Sequence, residues 1–220
     1  MAAPSAPLRV AVTADETMTL DAVKVSLLGR GMIVTATVSV AVAPRRLLAG
    51  DPAVLLVVTD LSEWSDLEQV CALVGGVHLP AVALTTAPRG GLWGAVLEAG
   101  ASIVLSAHAD SDTIEATLRD ASAGRRLAPA EVDDLVARWH RLREERDRIR
   151  SELDSLTVRE REVLELLYDG ETVADIAARL GVAQATVRSQ VKSILRKLEV
   201  GSQLAAVAAY DCSLHPPPPR

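Results

Sequence analysis

The stretch SLTVREREVLELLYDGETVADIAARLGVAQATVRSQVKSILRKLEVGSQLAAV, residues 155–207, reads as three short amphipathic helices joined by tight polar turns. Thr157 and Glu160 stand at capping-box spacing, so the Thr hydroxyl can accept from the Glu160 amide while the carboxylate reaches back to the Thr157 amide. Val163, Leu164, Leu166 and Leu167 then make an apolar stripe at helical period. Gly170 stops that helix, because glycine takes the left-handed conformation past a helix end without steric cost. Thr172 caps a second helix whose Ile176, Ala177 and Leu180 face inward, and Gly181 allows the sharp turn that follows. The third helix runs from about Gln184 to Leu198, with Val187, Val191, Ile194, Leu195 and Leu198 on its buried side. It carries no acid. Arg188, Lys192 and Arg196 recur at every fourth residue and so share one face, with Lys197 beside them. This is the layout of a helix-turn-helix, whose last helix offers its first residues to base edges and its flanks to phosphates. Arg188 suits a bidentate contact with guanine. Arg196 and Lys197 sit late in the helix, where backbone contact is expected.

Composition narrows the setting. With 220 residues the chain is long enough for two small domains, and 49% hydrophobic content supplies two cores. The net charge is −6, and residues 151–220 carry 8 Lys+Arg against 10 Asp+Glu. Basic charge is therefore focused on one helix, which suits groove docking better than non-specific coating of phosphates. Cys71 and Cys212 lack metal-site spacing and read as reduced thiols. His78, His108, His140 and His215 are scattered and suggest no metal site. A cytoplasmic location is expected, because no signal peptide or membrane-length apolar run is seen. No nucleophile–base pair or phosphate loop appears, so the chain is not expected to be an enzyme.

LTVREREVLELL followed by DIAARLGVAQATVRSQVKSILRKLEV resembles the C-terminal domain of LuxR/NarL-type transcription regulators, over about a quarter of the chain. The resemblance implies that Arg188, Ser189 and Lys192 read bases, that Thr186 lies near phosphate, with Gln184 beside them, and that a final helix over about Ser202 to Tyr210 is a dimer contact. Three positions depart from the family pattern. Ala183 replaces a usual capping Ser, Gln190 a common His, and Gln203 a frequent Arg. They bear on operator identity.

Residues 8–124 alternate apolar runs with helical patterns. Strands are expected at 8–13, 32–38, 53–59, 80–85 and 102–105, and helices near 17–29, 41–49, 63–74, 89–99 and 110–123. Near-continuous apolar runs fit parallel strands covered on both faces, and five βα units imply a doubly wound α/β sheet. The layout resembles a response-regulator receiver domain. Such a domain carries an acidic pair after strand one, an aspartate after strand three, Thr or Ser after strand four and Lys after strand five. Here the pair reads Ala14-Asp15. Asp60 follows strand three about two positions late, Thr85 matches, and the Lys position reads Ala107. With one acid and the Lys missing, Mg²⁺ binding and aspartyl phosphorylation are not expected, and no cofactor is implied. Such a pseudo-receiver either dimerises and docks only, or binds a small molecule at its strand ends. Trp64 and Trp93 lie near that edge, with packing the leading role for both.

Between the halves, Val132, Leu135, Trp139, Leu142, Arg146, Ile149, Leu153 and Leu156 follow alternating spacings of 3 and 4, the a/d pattern of a two-stranded coiled coil. The alternative is one long helix packed back on its own receiver-like domain. The expected organisation is a disordered tail at 1–7, a receiver-like domain at 8–126, a helical linker at 127–154, a four-helix DNA-binding domain at 155–212 and a disordered tail at 213–220. The function expected is that of a dimeric, sequence-specific regulator binding double-stranded operator DNA. The alternative is a signal- or ligand-binding adaptor whose DNA-binding domain is masked or vestigial.

Overall fold

A computed structural model describes residues 7–14, 17–38 and 50–216. The helix expected at 41–49 lies outside the described residues, as do most of the first tail and residues 217–220. The chain divides into two compact units, one running to His140 and the other from Arg141.

The first unit is a five-stranded sheet. Its strands are β1 (Arg9–Ala14), β2 (Ile33–Val38), β3 (Val54–Thr59), β4 (Ala81–Thr85) and β5 (Ile103–Ser106). All are parallel, in the order β2-β1-β3-β4-β5. The order reverses between β1 and β3, the place where doubly wound sheets open a crevice at their C-terminal ends. Every residue of β3 and β4 is buried, because both sheet faces are covered. On one face Val10, Val12, Leu56, Val58, Val82 and Leu84 pack with Leu27 of α1 (Thr17–Gly29) and with Leu118 and Ala121 of α4 (Ser111–Ser122). The alternate residues Leu55, Val57, Ala81 and Ala83 are equally buried. So are Trp64, Leu67 and Val70 of α2 (Trp64–Gly76) and Leu92, Trp93 and Val96 of α3 (Gly91–Glu98). Three strands close their own exits. Thr59 accepts from the amide of Leu61, Thr85 from that of Ala87 and Ser106 from that of His108.

Helix α5 (Pro129–Asp154) opens on a proline, which loses nothing at a first helical position. Residues 129–140 belong to the first unit and pack on α3. A Cβ on Gly94 would overlap the Leu135 carbonyl and lie 2.9 Å from the Val136 nitrogen, so only glycine admits the helix this closely. Leu135 is 2% exposed. Glu98 accepts from Trp139 Nε1 at 3.0 Å and lies 2.6 Å from His140 Nε2. The Trp139 ring stands 6.5 Å from that of Trp64, and Arg89 pairs with Glu131.

The second unit adds α6 (Val158–Tyr168), α7 (Val173–Leu180), α8 (Gln184–Lys197) and α9 (Gln203–Leu214). Its core joins Ile149, Leu153 and Leu156 to Val163, Leu164, Leu167, Ile176, Val187, Ile194, Leu198 and Ala206. Four of the eight positions at 3-and-4 spacing in the linker are buried within the chain. Leu135 is consumed by the first unit and Ile149, Leu153 and Leu156 by the second, while Val132, Trp139, Leu142 and Arg146 are half-buried. The division after His140 falls within the linker segment expected at 127–154. Helix α9 continues through Leu214, two residues into the tail expected to be disordered.

Candidate functional site

The three-helix motif is set by its caps. Thr157 and Glu160 form the expected capping box, and Thr172 forms another with Asp175. Gly170 (φ 84°) and Gly181 (φ 65°) take the left-handed conformation that ends α6 and α7. Arg159 reaches from α6 to the Leu180 carbonyl at the end of α7, at 3.2 Å, fixing the turn from both sides. Helix α8 starts on Ala183, which makes no side-chain cap. An Ala183→Ser substitution supplies the missing acceptor and should raise the unfolding free energy by about 1 kcal/mol. Urea denaturation of the two chains measures it, and an unchanged midpoint would contradict the uncapped start.

Gln184, Thr186, Arg188, Ser189, Lys192 and Arg196 are all exposed on α8. Among the described residues, Lys192 and Arg196 make no hydrogen bond or ion pair, and Arg188 donates only to Gln184 Oε1, at 3.2 Å.

Lys197, expected to contact phosphate, is bonded within the chain. Its ammonium donates to Glu160 Oε2 at 2.7 Å and to the Ser155 carbonyl at 3.0 Å, and its side chain is only 26% exposed. Glu160 is 7% exposed and also accepts from Ser193 Oγ at 2.6 Å and from the Thr157 amide at 2.8 Å. Burial alone would push this carboxyl up, but hydrogen bonds from Lys197, Ser193 and Thr157 together outweigh it and bring it down to about 2. A buried, ionised carboxylate needs such a set of donors, and a lysine spent on it is no longer a free cation. The i, i+4 face containing Arg188, Lys192 and Arg196 marks the solvent side. Lys197 is one residue further round and points back to α6, a position the helical period could have signalled.

Helix α9 docks on α6 within the chain. Tyr168 and Tyr210 meet edge-on with centroids 5.3 Å apart, Tyr168 donates to Asp211 at 3.0 Å, and Leu204 stands 79% exposed.

At the sheet edge, Thr59 is in register with Thr85, and Thr85 with Ser106. Asp60 follows β3 directly and is exposed. Its Oδ1 accepts from the Ser62 amide at 3.0 Å, closing its own turn. Leu61, buried beside it, holds a left-handed φ of 56°. Thr85 is fully buried. Ala107 packs its methyl against the sheet core. Asp15 lies outside the described residues. Trp93 donates from Nε1 to the Ala87 carbonyl at 2.9 Å and is buried, as is Trp64, so both pack. No group of three metal-binding side chains occurs among the described residues, and no helix there is long and apolar enough to cross a membrane. Neither cysteine forms a disulfide, and burial, with Glu98 and Glu68 nearby, pushes Cys71 up to about 11.

DesR, a transcriptional regulatory protein of Bacillus subtilis, is 33% identical over 127 residues, covering 57% of each chain. A probable transcriptional regulatory protein NarL of Mycobacterium tuberculosis is 31% identical over 143 residues, 64% of this chain and 63% of that one. The alignments span little more than half the length of such relatives, from 52% to 58% for the first three. Among solved structures, the RcsB–DNA complex of a two-component response regulator aligns over 93% of this chain and 98% of its own, at 21% identity and a TM-score of 0.47. A family model described as bacterial regulatory proteins, luxR family, matches residues 154–209, which span the end of the linker and the helices α6 to α9 up to Ala209. Over these residues the chain is similar to the luxR family of bacterial regulatory proteins.

Proposed function

We propose that the chain is a sequence-specific, DNA-binding transcription regulator that acts as a homodimer and is controlled without aspartyl phosphorylation. The observation that carries this reading is the exposed row Gln184, Thr186, Arg188, Ser189, Lys192 and Arg196 on a helix whose opposite side is buried. Arg188, Ser189 and Lys192 lie in the first half of α8, where a recognition helix meets base edges, and Arg196 lies late, where phosphate is in reach. Packing through Val187, Ile194 and Leu198 supports an intact domain over a vestigial one. Control by another route than phosphorylation is supported by Ala107 in place of a cation and by the engagement of Asp60 in its own turn. Pairing is supported by the exposed Leu204 on α9, the helix that the family resemblance assigns to dimer contact.

The test is selection of bound genomic DNA fragments by the purified chain, with and without acetyl phosphate and Mg²⁺. A recurring inverted repeat that is indifferent to the phosphodonor is expected. Enrichment only with the donor would overturn the phosphorylation-independent reading, and no enrichment at all would overturn DNA recognition. On the selected site, Arg188→Ala should cost about 1–3 kcal/mol and relax preference at one base pair. Equal losses on selected and random duplexes would refute its base-reading role.

A further inference from the structure

We propose that Lys197 is a positioning residue: it ties the exit of the linker helix to the recognition helix, and so sets how α8 is presented to DNA. The inference rests on the reading of α8 as the DNA-reading helix. One ammonium, in the last turn of α8, bonds both the Glu160 carboxylate of α6 and the carbonyl of Ser155, one residue past the end of α5. Ser193, one turn earlier on the same helix, bonds the other oxygen of Glu160, so α8 is held to this carboxylate at two points. The exit of α5 is gripped a second time, since Arg161 of α6 donates to the Leu153 carbonyl at 2.8 Å and lies 3.3 Å from Asp154. The last carbonyls of a helix have no partner within it. Here two of the carbonyls at this exit find theirs in cations of the motif, and Lys197 is the one that also belongs to α8. Lys192 and Arg196 on the same helix make no such bonds among the described residues. The division is therefore between cations left free and one cation committed to internal geometry. A displacement of the last turn of α5 would be transmitted through this ammonium to the C-terminal end of α8.

The experiment compares wild type with Lys197→Met, which keeps the stem, and with Lys197→Arg. Binding is read on the duplex that wild type selects from genomic fragments and on a random duplex of equal length, over a range of salt, well below the unfolding temperature. For a positioning residue, Lys197→Met should weaken the selected duplex by about tenfold or more and the random duplex by less than about threefold, with an unchanged salt slope. Lys197→Arg should recover part of the difference. A uniform loss with a shallower salt slope would mean that Lys197 touches phosphate. A lower melting temperature with the preference intact would mean a structural role only. Either result overturns the proposal. Amide exchange on the protein alone tests the tie independently. Residues 153–157 and 194–198 should lose protection together in Lys197→Met while α7 does not, and separate behaviour of the two segments overturns the tie. If wild type selects no duplex, the reading of α8 fails, and the exchange result still decides whether the tie exists.

Discussion

Gly94→Ala should drive residues 129–140 of the linker helix off the first unit. In an isolated helix this substitution stabilises by up to about 1 kcal/mol, because glycine is the poorer helix former. Here the added methyl would overlap the Leu135 carbonyl and crowd the Val136 nitrogen. Both are backbone atoms of a second helix, so no rotamer change relieves the contact. Overpacking costs about 1–3 kcal/mol where the surroundings yield, and a clash between backbones belongs at the upper end, so the steric term wins. Release would also break the bonds from Glu98 to Trp139 and His140 and free the Trp139 ring from Trp64. Hydrogen exchange should speed up over residues 129–140, and Trp fluorescence should shift to the red. A variant more stable than wild type, with unchanged exchange over this segment, would show that the helices do not approach so closely.

Glu160→Gln should cost about 2–4 kcal/mol of stability. Removing one member of a buried ion pair is expensive because the other charge stays behind, and Lys197 with its 26% exposure is only partly able to turn to water. The same residue predicts a pH dependence. The carboxyl is held at about 2 in the folded chain, against its ordinary 4.5. Between those values the unfolded chain binds more protons, so stability falls as the pH is lowered. The contribution is complete above about 4.5, decreases through that window, and is gone below about 2. Glu160→Gln should flatten this part of the acid-unfolding profile. Parallel profiles for the two chains would rule out Glu160 as its source.

Much of this was legible because the signals were local. The caps at Thr157 and Thr172, the glycines at 170 and 181, and the bare start at Ala183 are each decided within a few residues of the chain. The strands were legible for another reason: covering both sheet faces leaves uninterrupted apolar runs such as VLLVVT. What the sequence hid depends on partners far along the chain. Nothing near Lys197 announces that its counter-charge sits at residue 160. The left-handed turn at Glu199 (φ 50°) carries no glycine to signal it, although the amide of Val200 still reaches back to the Leu195 carbonyl at 3.0 Å. The linker pattern is the least specific. Spacings of 3 and 4 describe one stripe on a helix and say nothing of what covers it. Here Leu135 and Leu153 are covered by different units of the same chain.

The hydroxyls that close β3, β4 and β5 make the sheet edge modular. Each of these three loops starts its first turn on a hydroxyl of its own strand. Insertions or replacements in one loop can therefore leave the starts of the other two as they were. Such an edge can exchange its chemistry piece by piece over evolutionary time without ceasing to fold.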